Sequence, residues 1–235
     1  MKLKHFVKGS LLAGLVLLPV LGSTVDAAPA PEDSEATIRF SVEEPPTIID
    51  PENPGQDNDD QSGTGQTGSL TLDYVPNLDF GTHELSVAEE TYEATDPKPF
   101  VQVTDRRGTG AGWNLTVQAS SFSTGGLGLQ ESLPGAKLTF TDGEAVSRIS
   151  SFLAPDVADP IVVNTGGDAT QVTTATPGQD LATPGQGLGS WVTRWLKEEG
   201  ADTNSKVALT VPQAAATPGS HTSTLTWTLT DAPGQ

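Results

Sequence analysis

Two stretches, Trp113-Asn-Leu-Thr-Val-Gln-Ala119 and Leu225-Thr-Trp-Thr-Leu-Thr230, alternate apolar and polar residues along their whole length. Each contains the triplet Trp-x-Leu, and the two tryptophans lie 114 residues apart, so the repeat is not a local tandem. Trp is scarce, with four in 235 residues, and half of them occupy this one context. Because successive side chains of a strand point to opposite faces, both stretches are predicted to be half-buried strands with Trp and Leu inward.

The same period of two recurs from about Ser69 onward, in short segments separated by Gly, Pro, Asn and Asp. The apolar stripes expected on shared faces are Leu70, Leu72 and Tyr74; Val101 and Val103; Ala136, Leu138 and Phe140; and Val207, Leu209 and Val211. Many short strands with frequent turn signals predict an all-β protein, an antiparallel sandwich or barrel-like single domain with long loops.

One stretch, residues 190–200, is a candidate for a short helix. Trp191 and Trp195 are four residues apart there, and Gly200 could end the helix. The same residues also alternate weakly as a strand, so both alternatives stay open.

The first 27 residues have the pattern of a secretory signal peptide. Lys2, Lys4 and Lys8 form a basic start, and an apolar core of about 11 residues follows, too short for a membrane span. Small residues around Ala27 predict cleavage after it, which leaves 208 of the 235 residues. We therefore expect a secreted protein with no membrane span after cleavage.

Residues 28–68 are predicted to be an acidic, Pro- and Gly-rich linker without a stable core, since such composition cannot offset chain entropy. Only Ala36-Thr-Ile-Arg-Phe-Ser-Val42 alternates within it and could form an edge strand. Losing the signal peptide changes the formal net charge from −18 to −20. Such a surface repels the phosphates of nucleic acids and anionic lipids, so neither is an expected partner.

Enzymatic chemistry finds little support in the sequence. The chain has no Cys, and His83 and His221, the two histidines left after cleavage, are too few for a typical zinc site. We expect no metal and no cofactor. A glycan hydrolase with paired carboxylates, for example Asp142 and Glu144, is a remote alternative, because acids in turns are ordinary on an acidic surface.

Five segments together resemble the WxL domain of surface proteins from low-GC Gram-positive bacteria. Ser69-Leu-Thr-Leu-Asp-Tyr-Val-Pro-Asn-Leu-Asp-Phe-Gly81 resembles its opening, and residues 103–117 are similar to its proximal motif. Residues 190–194 and 207–212 fit its later part, and residues 225–233 resemble its distal motif. His221 stands where the family usually has Tyr. The resemblance covers residues 69–235, which are identified as the WxL domain.

The resemblance implies a non-catalytic protein held non-covalently on the cell wall, with peptidoglycan as its expected ligand. Other WxL proteins and a membrane-anchored companion are implied partners. A protein–protein assembly subunit of a surface complex is the alternative function.

The motif residues Trp113, Leu115, Trp227 and Leu229 allow two interpretations. They either pack in the core or stack on sugar rings, and alternation favours the core because large aromatics bury so much area. Binding would then belong to exposed side chains; the candidates are Tyr92, Arg106, Arg107, Trp191 and Trp195. For the two arginines, a salt-bridged turn is the more ordinary interpretation, against a grip on a wall carboxylate.

Overall fold

The computed structural model describes residues 34–41, 44–124, 130–149, 151–178 and 185–231. The predicted signal peptide lies outside this range. The chain forms two compact units, Met1–Arg39 and Phe40–Gln235. In the first, residues 34–39 are exposed and carry no strand. Within the residues that the structure describes, no helix is long and apolar enough to cross a membrane.

The second unit is all-β, as the alternating stripes predict, and its described residues contain no helix. Its 15 strands, numbered in chain order, are β1 (Leu70–Tyr74), β2 (Glu90–Ala94), β3 (Phe100–Asp105), β4 (Trp113–Ala119), β5 (Phe122–Thr124), β6 (Gln130–Ser132), β7 (Lys137–Phe140), β8 (Glu144–Ser147), β9 (Asp156–Val157), β10 (Ile161–Asn164), β11 (Thr170–Ala175), β12 (Gly189–Arg194), β13 (Asn204–Val211), β14 (His221–Thr222) and β15 (Leu225–Thr230).

The strands assemble into four antiparallel sheets, and no sheet closes into a barrel within the described chain. The first sheet has the order β1-β3-β12-β8, the second β10-β7-β13-β2, the third β15-β4-β11-β9 and the fourth β14-β5-β6. Neighbouring strands are often far apart in sequence, so the fold depends on long-range pairing. This arrangement is an all-β sandwich-like architecture.

One hydrophobic core joins all four sheets. Its buried members include Val101 and Val103 of the first sheet, Leu138 and Phe140 of the second, and Leu115 of the third. The inward stripes predicted for these strands are therefore confirmed. Because the two faces of each strand differ in polarity, burial of the apolar face selects the register.

Tyr74 departs from the predicted stripe. Leu72 lies in the main core, whereas Tyr74 packs in a separate cluster and stacks on Phe100, with ring centroids 4.2 Å apart. The pairing of β1 with β3 shifts register between Leu72 and Tyr74. A β-bulge adds one residue to one strand, so the alternation reverses at this point.

Part of the predicted linker packs on the first sheet instead of being solvated. Ile48 and Ile49 are buried in the separate cluster with Phe100 and Val192. Gln102 holds this segment: its Oε1 accepts from the Ile49 backbone N–H at 2.8 Å, and its Nε2 donates to the Thr47 carbonyl at 2.9 Å. The partner lies 53 residues away in sequence, so composition alone could not find it.

A buried carboxylate completes this attachment. Asp73 accepts hydrogen bonds from Thr104 Oγ1 at 2.6 Å, Thr71 Oγ1 at 2.6 Å and Gln102 Nε2 at 2.9 Å. Burial raises the pKa of Asp73 above its ordinary value, although these hydrogen bonds act in the opposite direction. The outer face of β3 is thus covered by polar and apolar contacts together, and every residue of β3 is buried.

Candidate functional site

The two Trp-x-Leu motifs are adjacent in the third sheet. Strand β15 pairs with β4 in antiparallel register, with Trp227 opposite Val117 and Leu229 opposite Leu115. Directly opposite residues of an antiparallel pair point to the same face. Both motifs therefore direct their Trp and Leu side chains toward one core, as the sequence predicts.

Trp113 is fully enclosed. Its side chain is 1% exposed, and its indole Nε1 donates to the Gly187 carbonyl at 3.1 Å. Gly187 has a φ of 72°, and a Cβ there would lie 2.6 Å from Trp113 Nε1. Only glycine fits so close to the ring in this backbone conformation. For the first motif the core interpretation is correct.

Trp227 is only half-buried. Along β15 the residues alternate between half-buried and exposed, and none is fully buried. The indole packs edge-on against the buried Phe140, with ring centroids 6.4 Å apart. The second motif is anchored in the core on one side and reaches solvent on the other.

Two clefts flank Trp227. The large cleft has a volume of about 1010 Å³, and its aromatic lining residues are Phe80, His83, Tyr92, Phe122, His221 and Trp227. The small cleft has a volume of about 580 Å³ and lies between β1 and β15; it is lined by Leu70, Leu72, Arg107, Trp227 and Leu229, among others. Trp227 forms the ridge between them.

The large cleft combines rings with polar groups. His83 stacks on the half-buried Tyr92, with centroids 4.3 Å apart. His221 contacts Ser132 Oγ through Nδ1 at 2.9 Å and the Thr217 carbonyl through Nε2 at 2.8 Å. Both imidazoles are therefore oriented by neighbours, which gives the cleft a wall of positioned flat rings.

Of the five residues predicted to be exposed, only Tyr92 lines the large cleft, together with Trp227 of the second motif. The expected exposure of Trp191 and Trp195 is wrong. Trp191 is 5% exposed and Trp195 is fully buried, with its ring 4.9 Å from that of Phe140. Residues 190–194 form a strand rather than a helix. Strand β12 lies inside the first sheet, between β3 and β8, and Trp195 follows directly after it and packs in the main core.

The two arginines serve the fold. Arg107 forms an ion pair with the buried Asp105 at 2.8 Å and donates to the Gly112 carbonyl at 2.7 Å. The hydrogen bonds to Asp105 raise the pKa of Arg107 above its ordinary value. Arg106 is exposed and donates to the backbone carbonyls of Glu44 and Gly68. The salt-bridged turn is therefore the correct interpretation for Arg107.

Neither carboxylate suggested for glycan hydrolysis lines the large or the small cleft. The Glu144 carboxylate forms an ion pair with the Arg194 guanidinium at 2.7 Å. Asp142 lies in a connection between strands, where its backbone N–H donates to the Asp159 carboxylate at 3.0 Å. Among the described residues no group of three His, Cys, Asp or Glu could hold a metal ion.

Sequence reasoning missed most of the large cleft. Much of its wall comes from residues 75–85 and 216–224, which are connections without alternation apart from the two-residue strand β14. The one available signal was His221, at a position where the resembling family has an aromatic residue. Clefts between loops depend on how distant strands meet, and no local pattern encodes that meeting.

Comparison with known proteins identifies a family for this chain. Residues 27–233 match the family model described as WxL domain surface cell wall-binding. No curated protein and no solved structure matches the chain. The match extends over nearly the whole chain, including the segment that packs on the first sheet. The chain therefore belongs to the WxL family of surface domains that bind the cell wall.

Proposed function

We propose that this protein attaches to the wall by binding peptidoglycan glycan in the large cleft. The main observation behind this proposal is the half-exposed ring of Trp227. The ring packs against Phe140 and is open to a cleft that is also lined by Tyr92 and His83. Sugar rings present apolar C–H faces and a rim of hydroxyls. An aromatic wall with nearby polar groups is suited to both.

The charge of the protein supports an uncharged recognition mode. The formal net charge is −18, so long-range attraction to anionic wall polymers is unfavourable. The paired arginine of the small cleft is already committed to Asp105. Stacking and hydrogen bonding remain as the forces that would hold a glycan.

The same arrangement supports a non-catalytic role. Hydrolysis of a glycosidic bond needs two carboxyl groups placed about 5–10 Å apart across the scissile bond. Asp142 and Glu144, the candidates named above, lie outside both clefts. Of the two carboxylates that do line the large cleft, Asp79 and Glu84, Asp79 accepts from the Gly81 backbone N–H at 2.9 Å and so serves a turn of the cleft wall. We propose a secreted attachment protein, with other WxL proteins and a membrane-anchored companion as partners on the wall.

Sedimentation with purified, protein-free cell walls tests the proposal. Trp227→Ala and Tyr92→Ala should each release most of the protein into the supernatant, because each removes a ring from the cleft. The matched control is Thr228→Ala, which lies on the exposed face of the same strand and should sediment like the natural chain.

Two results would contradict the proposal. Undiminished sedimentation of both aromatic variants would place the glycan elsewhere. Sedimentation of the natural chain only after adding a companion surface protein would favour the assembly subunit.

A further inference from the structure

The small cleft meets the edge of strand β15 rather than one of its faces. Leu229, Thr230 and Asp231 line it consecutively, although successive side chains of a strand point to opposite faces. The strand edge, where the backbone N–H and carbonyl groups lie, is the part of the chain that adjoins all three. Because β15 is the terminal strand of the third sheet and pairs only with β4, its outer edge is open to this cleft.

The register of β15 identifies which backbone groups face outward. The Ser120 N–H donates to the Thr224 carbonyl at 2.9 Å, so the residue pair just before β15 is hydrogen-bonded. Such pairs alternate with non-hydrogen-bonded pairs along an antiparallel ladder. The backbone N–H and carbonyl groups of Trp227 and Leu229 therefore point away from β4, and within the described chain they have no hydrogen-bond partner.

The opposite wall of the small cleft, strand β1, has its edge covered. The Leu72 N–H donates to Gln66 Oε1 at 3.1 Å, and the Leu72 carbonyl accepts from Thr64 Oγ1 at 2.6 Å. Leu70 and Leu72 give this wall an apolar surface. The β15 wall instead presents two unpaired sets of backbone groups about 7 Å apart, which is the spacing of alternate residues in an extended peptide.

We propose that the small cleft binds the stem peptide of peptidoglycan, paired as a short extended strand with the backbone of Trp227 and Leu229. The choice of this peptide rests on the proposed function, because stem peptides are covalently attached to the glycan strand and Trp227 lines both clefts. A glycan in the large cleft would hold its peptide beside the small one. The volume of about 580 Å³ lies within the range of small-ligand sites, about 300–1,000 Å³, and so suits a peptide of a few residues.

The lining of the small cleft complements such a peptide. Backbone pairing along an open edge recognises the repeated amide groups of an extended chain, whereas the hydroxyls of a sugar ring have no such repeat. Asp231 is exposed beside the cleft, and the nearby Arg107 is already paired with Asp105. The Asp231 carboxylate favours the free amine that the diamino acid of an uncross-linked stem peptide carries.

Titration of the purified protein with the synthetic tetrapeptide L-Ala–γ-D-Glu–L-Lys–D-Ala, without any glycan, tests this proposal. In amide-resolved NMR, the N–H groups of Trp227 and Leu229 should exchange with solvent more slowly as the peptide is added, because they gain hydrogen bonds. The N–H of Thr228 points toward β4 in the same register and is the internal control, with unchanged exchange.

A pair of variants at Leu229 isolates the backbone contribution. Leu229→Pro removes the outward N–H without removing a hydrogen bond to β4, and Pro is tolerated in edge strands where the N–H faces solvent. The matched control Leu229→Ala also loses the leucine side chain but keeps the N–H. The proline variant should bind the tetrapeptide about tenfold more weakly than the alanine variant. Should the proline variant fail to fold, the amide exchange of the natural protein still decides the question.

Walls stripped of their stem peptides by an amidase separate this proposal from glycan binding. The natural protein should still sediment with stripped walls, but less firmly than with intact walls. Loss of sedimentation with stripped walls, together with tetrapeptide protection of the two amides, would overturn the glycan site alone. Unchanged exchange at Trp227 and Leu229, or equal tetrapeptide affinity of the proline and alanine variants, would overturn the stem-peptide proposal even where stripped walls are bound. Protection of these amides only by a companion surface protein would also overturn it and assign the edge to a protein partner.

Discussion

Trp113 and Trp227 begin identical triplets in neighbouring strands, yet Trp113 is 1% exposed and Trp227 forms a half-exposed ridge between two clefts. Strand β4 lies between β15 and β11, whereas β15 has a neighbour on one side only. An inner strand is covered by the side chains of both neighbours. The comparison teaches that position in the sheet, and not the motif, decides which Trp stabilises the core and which can meet a ligand.

The largest expected effect is that of Trp113→Ala. The change removes a fully buried indole and its hydrogen bond to Gly187, and it should lower the free energy of unfolding by about 3–5 kcal/mol. Total stability is commonly about 5–15 kcal/mol, so folding itself is threatened. Urea denaturation followed by tryptophan fluorescence measures the change. A variant with unchanged stability would show that the first motif is not part of the core.

The two leucines of the motifs provide a matched pair. Leu115 is fully buried and lies opposite the half-buried Leu229. Leu115→Ala should cost about 3 kcal/mol, and Leu229→Ala about 1 kcal/mol, since the loss scales with the apolar area and contacts removed. Equal losses of unfolding free energy for the two variants, measured by urea denaturation, would show that the inner strand β4 and the edge strand β15 contribute alike to the core.

Gly187→Ala tests how closely the chain encloses Trp113. The positive φ and the 2.6 Å approach of a new Cβ to the indole should together cost about 2 kcal/mol or more. Gly108 also has a positive φ of 69° but open space around its Cβ position. Gly108→Ala is therefore the control, with the backbone cost alone. Similar melting temperatures for the two variants would argue against tight packing at the first motif.

Among the two tryptophan variants, the smaller effect on stability is expected for Trp227→Ala, about 1–2 kcal/mol, because much of the ring is already in contact with water. Under the proposed function, wall binding should fall far more than this loss of stability explains. The Trp227→Ala variant should therefore be a folded protein with a slightly lower melting temperature that no longer sediments with walls. A loss of stability as large as that of Trp113→Ala would mean that Trp227 is a core residue.

Much of the fold is predictable from the sequence because most strands alternate apolar and polar residues. The stripes at Val101, Leu138 and Leu209 are all buried as expected. Tyr74 was misassigned because a β-bulge reverses alternation without a local signal. Ile48 and Ile49 were hidden in an acidic, Pro-rich stretch, and only their contact with distant Gln102 reveals them.

The candidate site was less accessible to sequence reasoning. Tyr92 and Trp227 were among the predicted residues, but Trp191 in the inner strand β12 is buried, and Trp195, directly after that strand, is buried against Phe140 in the main core. A short apolar run with two tryptophans has the same local pattern whether its strand is inner or terminal. Exposure is a property of sheet order, which local periodicity does not contain.

By itself, the sequence determined the all-β class, the inward faces of most strands and membership of the WxL family, because each of these is encoded in residue order over short distances. Only the tertiary structure decided that β15 is a sheet edge, that Trp227 stands between two clefts and that Trp113 is enclosed by Gly187. The physical reason is the range of the interactions: alternation acts between neighbours in sequence, whereas burial depends on strands more than 100 residues apart.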